Sequence, residues 1–235
     1  MRSRIWPLFG LLLFAGPALA GALEDGQSAA EKGDFATAMK LWRPLAEQGN
    51  ATAQTNVATL YEEGLGVEPD LEEAVKWYNE AAGQGDAAAQ NNLANMYMYG
   101  NGVAQDPAQA ASWFRKAADQ GTIEAQFNLA RLYTAGEGVE QDYSAAAQWY
   151  RKAAQNGDPD AQNSLALMYK EGEGVTRDIV EAFMWITLAV AGAGSEGHRT
   201  LYQYHSDGIA QGMSAEQLAQ AKQRVENWRR ERAAK

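Results

Sequence analysis

Four glycine-rich loops, each ending in an aspartate, are the segments most suggestive of chemistry. They read EGLGVEPD, YGNGVAQD, AGEGVEQD and EGEGVTRD, at residues 63–70, 99–106, 135–142 and 171–178. Such loops can bind phosphate or calcium. A phosphate loop needs a preceding strand and usually a following lysine, and neither is present. A calcium loop needs several oxygen ligands, whereas each copy offers about one acid.

The two histidines are the other candidates for chemistry. His198 and His205 are the only histidines of the chain and stand seven apart, so on a helix they could share a face. Only Glu196 or Asp207 could supply a third metal ligand nearby. A histidine pair of this kind is usually structural or exposed. We therefore predict no metal site and no cofactor.

Composition excludes several classes of function. The 235 residues include no cysteine, which rules out a cysteine nucleophile, thiolate metal sites and a lipid on an N-terminal cysteine. The formal net charge is −10, with 20 basic and 30 acidic side chains. A surface this acidic repels phosphate backbones, so nucleic-acid binding is not expected.

The first 20 residues predict a secretory signal peptide. Arg2 and Arg4 precede an apolar run from Ile5 to about Phe14, and Ala18-Leu19-Ala20 offers a small-x-small cleavage site. The run is too short to span a bilayer comfortably. We expect cleavage after Ala20 and no stable membrane insertion of the mature chain.

The glycine loops belong to a longer unit that repeats every 36 residues. Each copy carries an Ala-Gln pair, an apolar residue and a tyrosine before the loop, then an alanine and a tryptophan after it. The tryptophans are Trp77, Trp113, Trp149 and Trp185. Self-similarity at a fixed period of this length is typical of a stacked array of small units.

Two helices fit into each period. Ala53, Val57 and Tyr61 are spaced four apart and therefore lie on one face of a first helix. Gly64 stands where that helix would end in a left-handed turn, and Asp70 can cap the second helix. The loop is thus predicted to connect antiparallel helices. The repeated aromatic rings are predicted to pack between units and not to form a carbohydrate platform.

On these residues the chain resembles the Sel-1-like repeat family, a relative of the tetratricopeptide repeats. The segment AAAQNNLANMYMYGNGVAQDPAQAASWFRKAADQG, at 87–121, matches the family pattern almost throughout. The resemblance implies an all-α superhelical solenoid of antiparallel helix pairs that binds proteins and has no shared catalytic residues. Exported bacterial members are often linked to the cell envelope, so we expect a periplasmic protein, with onward secretion as the alternative.

The repeat and its flanks predict the organisation of the chain. A half-repeat that caps the array follows the signal peptide, the fourth repeat is divergent, and helices close the C-terminal end. Ser214 and Gln217 predict a capping box there, and the basic end of that helix is expected to be solvated, with an anionic partner as the alternative. The segments are 1–20, 21–50, 51–86, 87–122, 123–158, 159–195 and 196–235.

Eight residues on the first helices form the candidate partner-binding groove. They occupy positions that differ between copies and fall off the apolar stripe, so we expect them to face solvent. First helices usually line the concave side of such solenoids, and exposed apolar and arginine side chains are typical of binding hot spots. The eight are Asn91, Asn95, Met98, Tyr99, Phe127, Arg131, Asn163 and Leu167.

The sequence therefore predicts a non-catalytic protein- or peptide-binding scaffold or adaptor of the bacterial cell envelope. One alternative is an envelope enzyme, either β-lactamase-like or a cell-wall hydrolase, although the sequence offers only scattered carboxylates and two late histidines for catalysis. Another is a structural protein that associates with itself through the same groove.

Overall fold

The computed structural model describes residues 17–234, with side chains described from residue 21 onward, and in this part of the chain all regular secondary structure is helical. The predicted signal peptide lies outside it except for its last four residues, which begin α1. The helices are α1 (Pro17–Glu31), α2 (Phe35–Glu47), α3 (Ala51–Glu63), α4 (Leu71–Gly83), α5 (Ala87–Tyr99), α6 (Pro107–Asp119), α7 (Ile123–Ala135), α8 (Tyr143–Gln155), α9 (Pro159–Glu171), α10 (Ile179–Gly192), α11 (Glu196–Ala210) and α12 (Ala215–Ala233).

Helices α1 to α11 form a solenoid in which each packs mainly against its neighbours along the chain, whereas α12 packs on α10. We call the pairs α3–α4, α5–α6, α7–α8 and α9–α10 units 1 to 4. The pair α1–α2 precedes unit 1, and α11 and α12 follow unit 4. The predicted all-α solenoid of antiparallel helix pairs is confirmed.

The glycine loops have the predicted role of connectors. Gly64, which ends α3, is left-handed with φ 66°, and its equivalents Gly100, Gly136 and Gly172 have φ between 70° and 81°. Asp70 then accepts a hydrogen bond from the backbone N–H of Glu73 at the start of α4. The aspartates of the other three loops cap their helices in the same way.

The second glycine of each loop allows close contact with the preceding unit. A Cβ on Gly102 would lie 2.3 Å from the carbonyl oxygen of Leu71, and one on Gly138 would lie 2.1 Å from that of Pro107. Both glycines also have positive φ. The loop of each unit therefore rests on the first turn of the previous unit's second helix, and only glycine fits there.

Buried glutamines form a second link between units. The Nε2 atom of Gln54 donates to the carbonyl oxygen of Ala46, which lies eight residues earlier at the end of α2, at 3.1 Å. Gln90, Gln126 and Gln162 make the same bond at 3.1 to 3.2 Å. The glutamine of each repeated Ala-Gln pair thus makes a hydrogen bond across a boundary between units.

The core consists of alanines and repeated large residues. Leu93, Leu129 and Leu165 are fully buried, and Tyr78 and Phe114 fill the space between first and second helices. The repeated tryptophans are buried or half-buried against the same core. The interpretation of these rings as packing residues is therefore supported, as one helix pair cannot bury its apolar face alone.

The C-terminal helices close the solenoid. The predicted capping box between Ser214 and Gln217 is present at the start of α12. Ala221 and Val225 of that helix are buried, and α12 packs on α10. The basic end is only partly solvated, because Arg232 donates to backbone carbonyl oxygens at the end of α8.

Candidate functional site

Unit 1 has a polar network around the hydroxyl of Tyr78. That hydroxyl donates to Glu62 Oε2 at 2.7 Å, lies 3.0 Å from Thr59 Oγ1 and accepts from Asn92 Nδ2 at 3.1 Å. Burial raises the pKa of Tyr78, so the phenol stays protonated and remains a donor. The network joins α3, α4 and α5 and fills the space between units 1 and 2.

Unit 2 lacks this network because Phe114 stands where unit 1 has Tyr78. The positions of Thr59, Glu62 and Asn92 are taken by Asn95, Met98 and Asn128, 36 residues later. Among residues 21–234, the side-chain amides of Asn95 and Asn128 have no hydrogen-bond partner. A cavity of about 310 Å³, which we call the α5–α7 pocket, opens at this place. Its lining residues are Asn95, Met98, Tyr99, Phe114, Asn128, Arg131, Leu132, Thr134, Ala135, Glu137 and Tyr150.

The α5–α7 pocket combines an apolar floor with polar groups at several heights. Phe114 and Tyr150 are buried beneath it, and burial raises the pKa of the Tyr150 phenol, which stays neutral. Tyr99, with 61% of its surface exposed, and Arg131 stand at the rim. The mixture of a few polar groups with an apolar interior is typical of a ligand site.

Four of the eight predicted groove residues line this pocket. Asn95 and Met98 are half-buried in its wall, and Tyr99 and Arg131 are exposed at its rim. Their proximity follows from the helix period, because residues 95, 98 and 99 lie three to four apart on α5. Arg131 occupies the position of Asn95 one unit later and therefore faces it from α7.

The other four residues do not line the pocket. Phe127 is half-buried, with its ring centroid 5.7 Å from that of Tyr150. The Oδ1 atom of Asn163 accepts a hydrogen bond of 2.7 Å from Nδ1 of His205, and Leu167 is half-buried further along the array.

The expectation that all eight residues face solvent is wrong for Asn91. This residue is only 4% exposed, and Thr55 at the equivalent position of unit 1 is also buried. At the same position in unit 3, Phe127 packs against Tyr150 of its own second helix. The position therefore faces the interior of the helix pair, because the buried arc of a packed helix is wider than a single apolar stripe.

The sequence-based prediction missed the floor of the pocket. Phe114 and Asn128 line it, as do Thr134, Glu137 and Tyr150. An available signal was the substitution of phenylalanine at residue 114, where units 1 and 3 have tyrosine. The loss of one hydroxyl at a repeated position indicates a place where the units differ in hydrogen bonding.

The two histidines have different environments. His205 is half-buried, bonds Asn163 and has a lowered pKa, chiefly because burial disfavours its charged form. His198 is exposed beside Tyr202. Within the described range, 17–234, no group of three or more potential ligand side chains could hold a metal ion. No helix in that range has the length and apolarity needed to cross a membrane.

Comparisons with known proteins agree with this architecture. A Sel1 repeat protein from Oxalobacter formigenes superimposes with a TM-score of 0.71 at 34% identity, over 77% of this chain and 73% of that one. A protective antigen present in uropathogenic Escherichia coli strains, which displays an SLR fold, superimposes with a TM-score of 0.56 at 29% identity, over 89% of this chain and 53% of that one. The search of curated proteins found no match.

The family model for the Sel1 repeat matches five segments of the chain, at 18–50, 51–86, 87–122, 123–158 and 159–192. It therefore includes α1–α2 as a repeat, where the sequence predicted a capping half-repeat. Proteins with this repeat are typically scaffolds for protein interactions and generally not catalytic. The matched segments cover most of the sequence, and the chain belongs to the Sel1 repeat family.

Proposed function

We propose that this protein is a non-catalytic scaffold of the bacterial cell envelope that binds a protein or peptide in the α5–α7 pocket. The observation that carries the proposal is the pair of amides, Asn95 and Asn128, that have no hydrogen-bond partner among the described residues and face a cavity with an apolar floor. Unit 1 uses the equivalent space for an internal network, so unit 2 has this space available for a ligand.

The chemistry of the pocket suits an extended peptide segment. Each side-chain amide offers two donors and an acceptor, which match the C=O and N–H of a peptide bond. An apolar side chain of the ligand would contact Phe114 and Met98. Tyr99 would cover it from the rim, and Arg131 would bond a carbonyl or carboxylate oxygen.

The envelope location rests on the N-terminal segment. Its order of basic residues, apolar run and Ala18-Leu19-Ala20 supports export and cleavage. Cell fractionation followed by N-terminal sequencing is the direct measurement, with a mature chain beginning at Gly21 in the periplasm as the expected result. A full-length chain recovered from the cytoplasm would contradict the location and leave the pocket proposal untouched.

Binding is tested by site-specific crosslinking. A photoreactive phenylalanine analogue replaces Tyr99 at the rim, and the same analogue replaces Tyr204 as the control, since Tyr204 is 74% exposed on α11 and outside the pocket. We expect a periplasmic protein to be crosslinked from residue 99 and not from residue 204. Asn95→Ala combined with Asn128→Ala should then weaken binding of that purified partner by about tenfold or more.

Several outcomes would count against the proposal. Equal crosslinking from both positions would indicate non-specific contact. A crosslink from residue 99 to a second copy of the chain would favour the self-associating structural protein instead. Unchanged affinity in the double variant, with an unchanged circular dichroism spectrum, would remove the α5–α7 pocket as the binding site.

A further inference from the structure

The last helix shows how a helix can dock on the second-helix side of a unit. Three side chains of α12, Arg224, Trp228 and Arg232, stand four residues apart and so occupy successive turns of one face. Arg224 forms an ion pair with Glu181 and lies 3.6 Å from Asp178, at the start of α10.

The other two side chains extend this contact to the preceding unit. The Trp228 ring lies edge-on to Trp185, with centroids 6.4 Å apart. Arg232 donates to the carbonyl oxygens of Gln155 and Asn156, at the carboxyl end of α8, where a cation is favoured. The Arg-x3-Trp-x3-Arg face of α12 thus contacts, in order, two acids, a tryptophan and the carboxyl end of a helix.

Unit 1 presents the same acceptors 108 residues earlier, three repeat lengths away. Asp70 and Glu73 stand for Asp178 and Glu181, and Trp77 stands for Trp185. The carboxyl end of α2 stands for that of α8, and α2 has no basic residue in its last turn. A cavity of about 500 Å³ lies there, lined by Glu47, Gly49, Glu73, Trp77 and Glu80 among others.

Units 2 and 3 do not offer this combination. Lys116 lies 3.5 Å from the centre of the Trp113 ring, and Lys152 lies 3.7 Å from that of Trp149, so a lysine already covers each ring.

The repeated position of these lysines separates the two kinds of unit. It is Leu188 in unit 4 and Glu80 in unit 1, and neither places a cation over the tryptophan of its unit. The position of Glu73 is occupied by Gln109 and Ala145 in units 2 and 3, so they also lack the second acid.

We propose that unit 1 is a second helix-docking site, which binds a basic helix of another protein carrying Arg, Trp and Arg on successive turns. The site is separate from the α5–α7 pocket and does not depend on it. Glu47, Glu73 and Glu80 line the site, where Glu47 pairs with Arg43 at 3.1 Å and Glu73 pairs with Lys76. The three acids and two cations leave one negative charge, which complements such a helix. Lys76 is the basic side chain in its lining. It is exposed and pairs with Glu73 at 3.0 Å, and an incoming arginine replaces it.

The occupant is a partner and not α12 of a second copy. The chain's own α12 is tethered beside unit 4, where its effective concentration is high, so it remains there. Its docking face is consequently covered by its own α10 and cannot be offered to another molecule.

The experiment uses a synthetic, fluorescently labelled peptide of residues 213–234 as a probe of this chemistry. It is titrated into the full chain and into Glu80→Lys, which gives unit 1 the lysine of units 2 and 3. Glu72→Lys is the matched control, because Glu72 is exposed on the same helix and outside the cavity. We expect binding to the full chain, weakened about tenfold or more by Glu80→Lys and about twofold or less by Glu72→Lys.

The peptide that carries Trp228→Ala should bind the full chain as weakly as the original peptide binds Glu80→Lys, because the tryptophan contact is the apolar part of the site. Absence of binding to the full chain would overturn the proposal, as would equal weakening by the two lysine variants, which indicates general charge attraction. Binding that persists in Glu80→Lys and disappears in Leu188→Lys would show exchange with α12 at unit 4. Dimerisation of the chain that Glu80→Lys abolishes would assign the site to a second copy.

Discussion

Units 1 and 2 have the same helix-pair architecture but differ in which side of the pair is covered by their own side chains. On the first-helix side, the Tyr78 network closes unit 1, whereas Phe114 leaves unit 2 with the α5–α7 pocket. On the second-helix side, Lys116 covers Trp113 in unit 2, whereas no cation of residues 21–234 lies over the ring of Trp77 in unit 1. Each unit is thus closed where its neighbour is open.

The difference shows how a repeat protein separates fold from recognition. The capping glycines and aspartates and the boundary glutamines are common to both units and maintain the backbone. One hydroxyl at residue 78 or 114, and one charge at residue 80 or 116, distinguish the two proposed binding sites from the equivalent places in the neighbouring unit. These two positions are therefore more informative about function than the residues that repeat without change.

The largest loss of stability is expected at the contact between units 1 and 2, where the loop of unit 2 packs on the start of α4. Gly102→Ala places a Cβ against the backbone of Leu71 and forces a side chain into positive φ. We expect it to lower the free energy of unfolding by about 3 kcal/mol or more, measured by urea denaturation. Gly85→Ala is the control, with φ 95° and nothing near the new Cβ, and should cost about 1 kcal/mol. Equal losses would show that loop packing does not join the units.

Removing the Tyr78 hydroxyl should make unit 1 resemble unit 2. Tyr78→Phe leaves Glu62, Thr59 and Asn92 without their common partner, and we expect a loss of about 1–2 kcal/mol in urea denaturation. Tyr204→Phe, on an exposed tyrosine, should change stability little. A loss no larger than that control would mean that water replaces the hydroxyl without cost.

The reverse substitution should make unit 2 resemble unit 1. Phe114→Tyr places a hydroxyl between Asn95 and Asn128, and we expect a gain of about 0.5–1 kcal/mol in stability. The same variant should bind the partner found by crosslinking at Tyr99 about tenfold more weakly, because the two amides are then bonded to the new hydroxyl. Calorimetry measures the affinity for the partner. Unchanged affinity together with a gain in stability would show that Asn95 and Asn128 do not contribute to binding.

The pH dependence of unit 1 should be the smallest effect. The pKa of Tyr78 is raised from its ordinary value of 10.0, mainly by burial. Below that value both the folded and the unfolded state keep the proton, so the stabilisation from Tyr78 is fully present. Above it the unfolded chain releases the proton first, and stability falls as pH rises.

The stability difference between the wild-type chain and Tyr78→Phe should therefore shrink between about pH 8 and about pH 11. Urea denaturation at the two pH values measures it, and the other tyrosines contribute equally to both proteins. A constant difference would contradict a protonated Tyr78 at the centre of the network.

The fold was predictable because its determinants are local. Gly64 and Asp70 act within a few residues of their own helix ends, and the 36-residue spacing shows units 1 to 4 directly. The fifth repeat, at 18–50, was predicted only as a capping half-repeat. The docking of α12 was not predictable in this way. Arg232 bonds a carbonyl 77 residues earlier in the chain, and no periodicity in the sequence specifies that contact.

The candidate site was predictable only where helix geometry alone determines it. Asn95, Met98, Tyr99 and Arg131 line one pocket because they lie at the expected offsets on α5 and α7. Asn91 was misplaced because its burial depends on how closely the second helix approaches. Phe114 was missed because an absent hydroxyl has meaning only beside the residues that it would have bonded.

The glutamine bonds have a consequence for how such a protein can change in length. Each one joins a helix to the carbonyl eight residues before it, so it belongs to a single boundary. An in-frame duplication or deletion of one 36-residue cassette would leave every remaining boundary with its own bond. The gene can therefore gain or lose a unit in one recombination event without requiring a new interface to evolve.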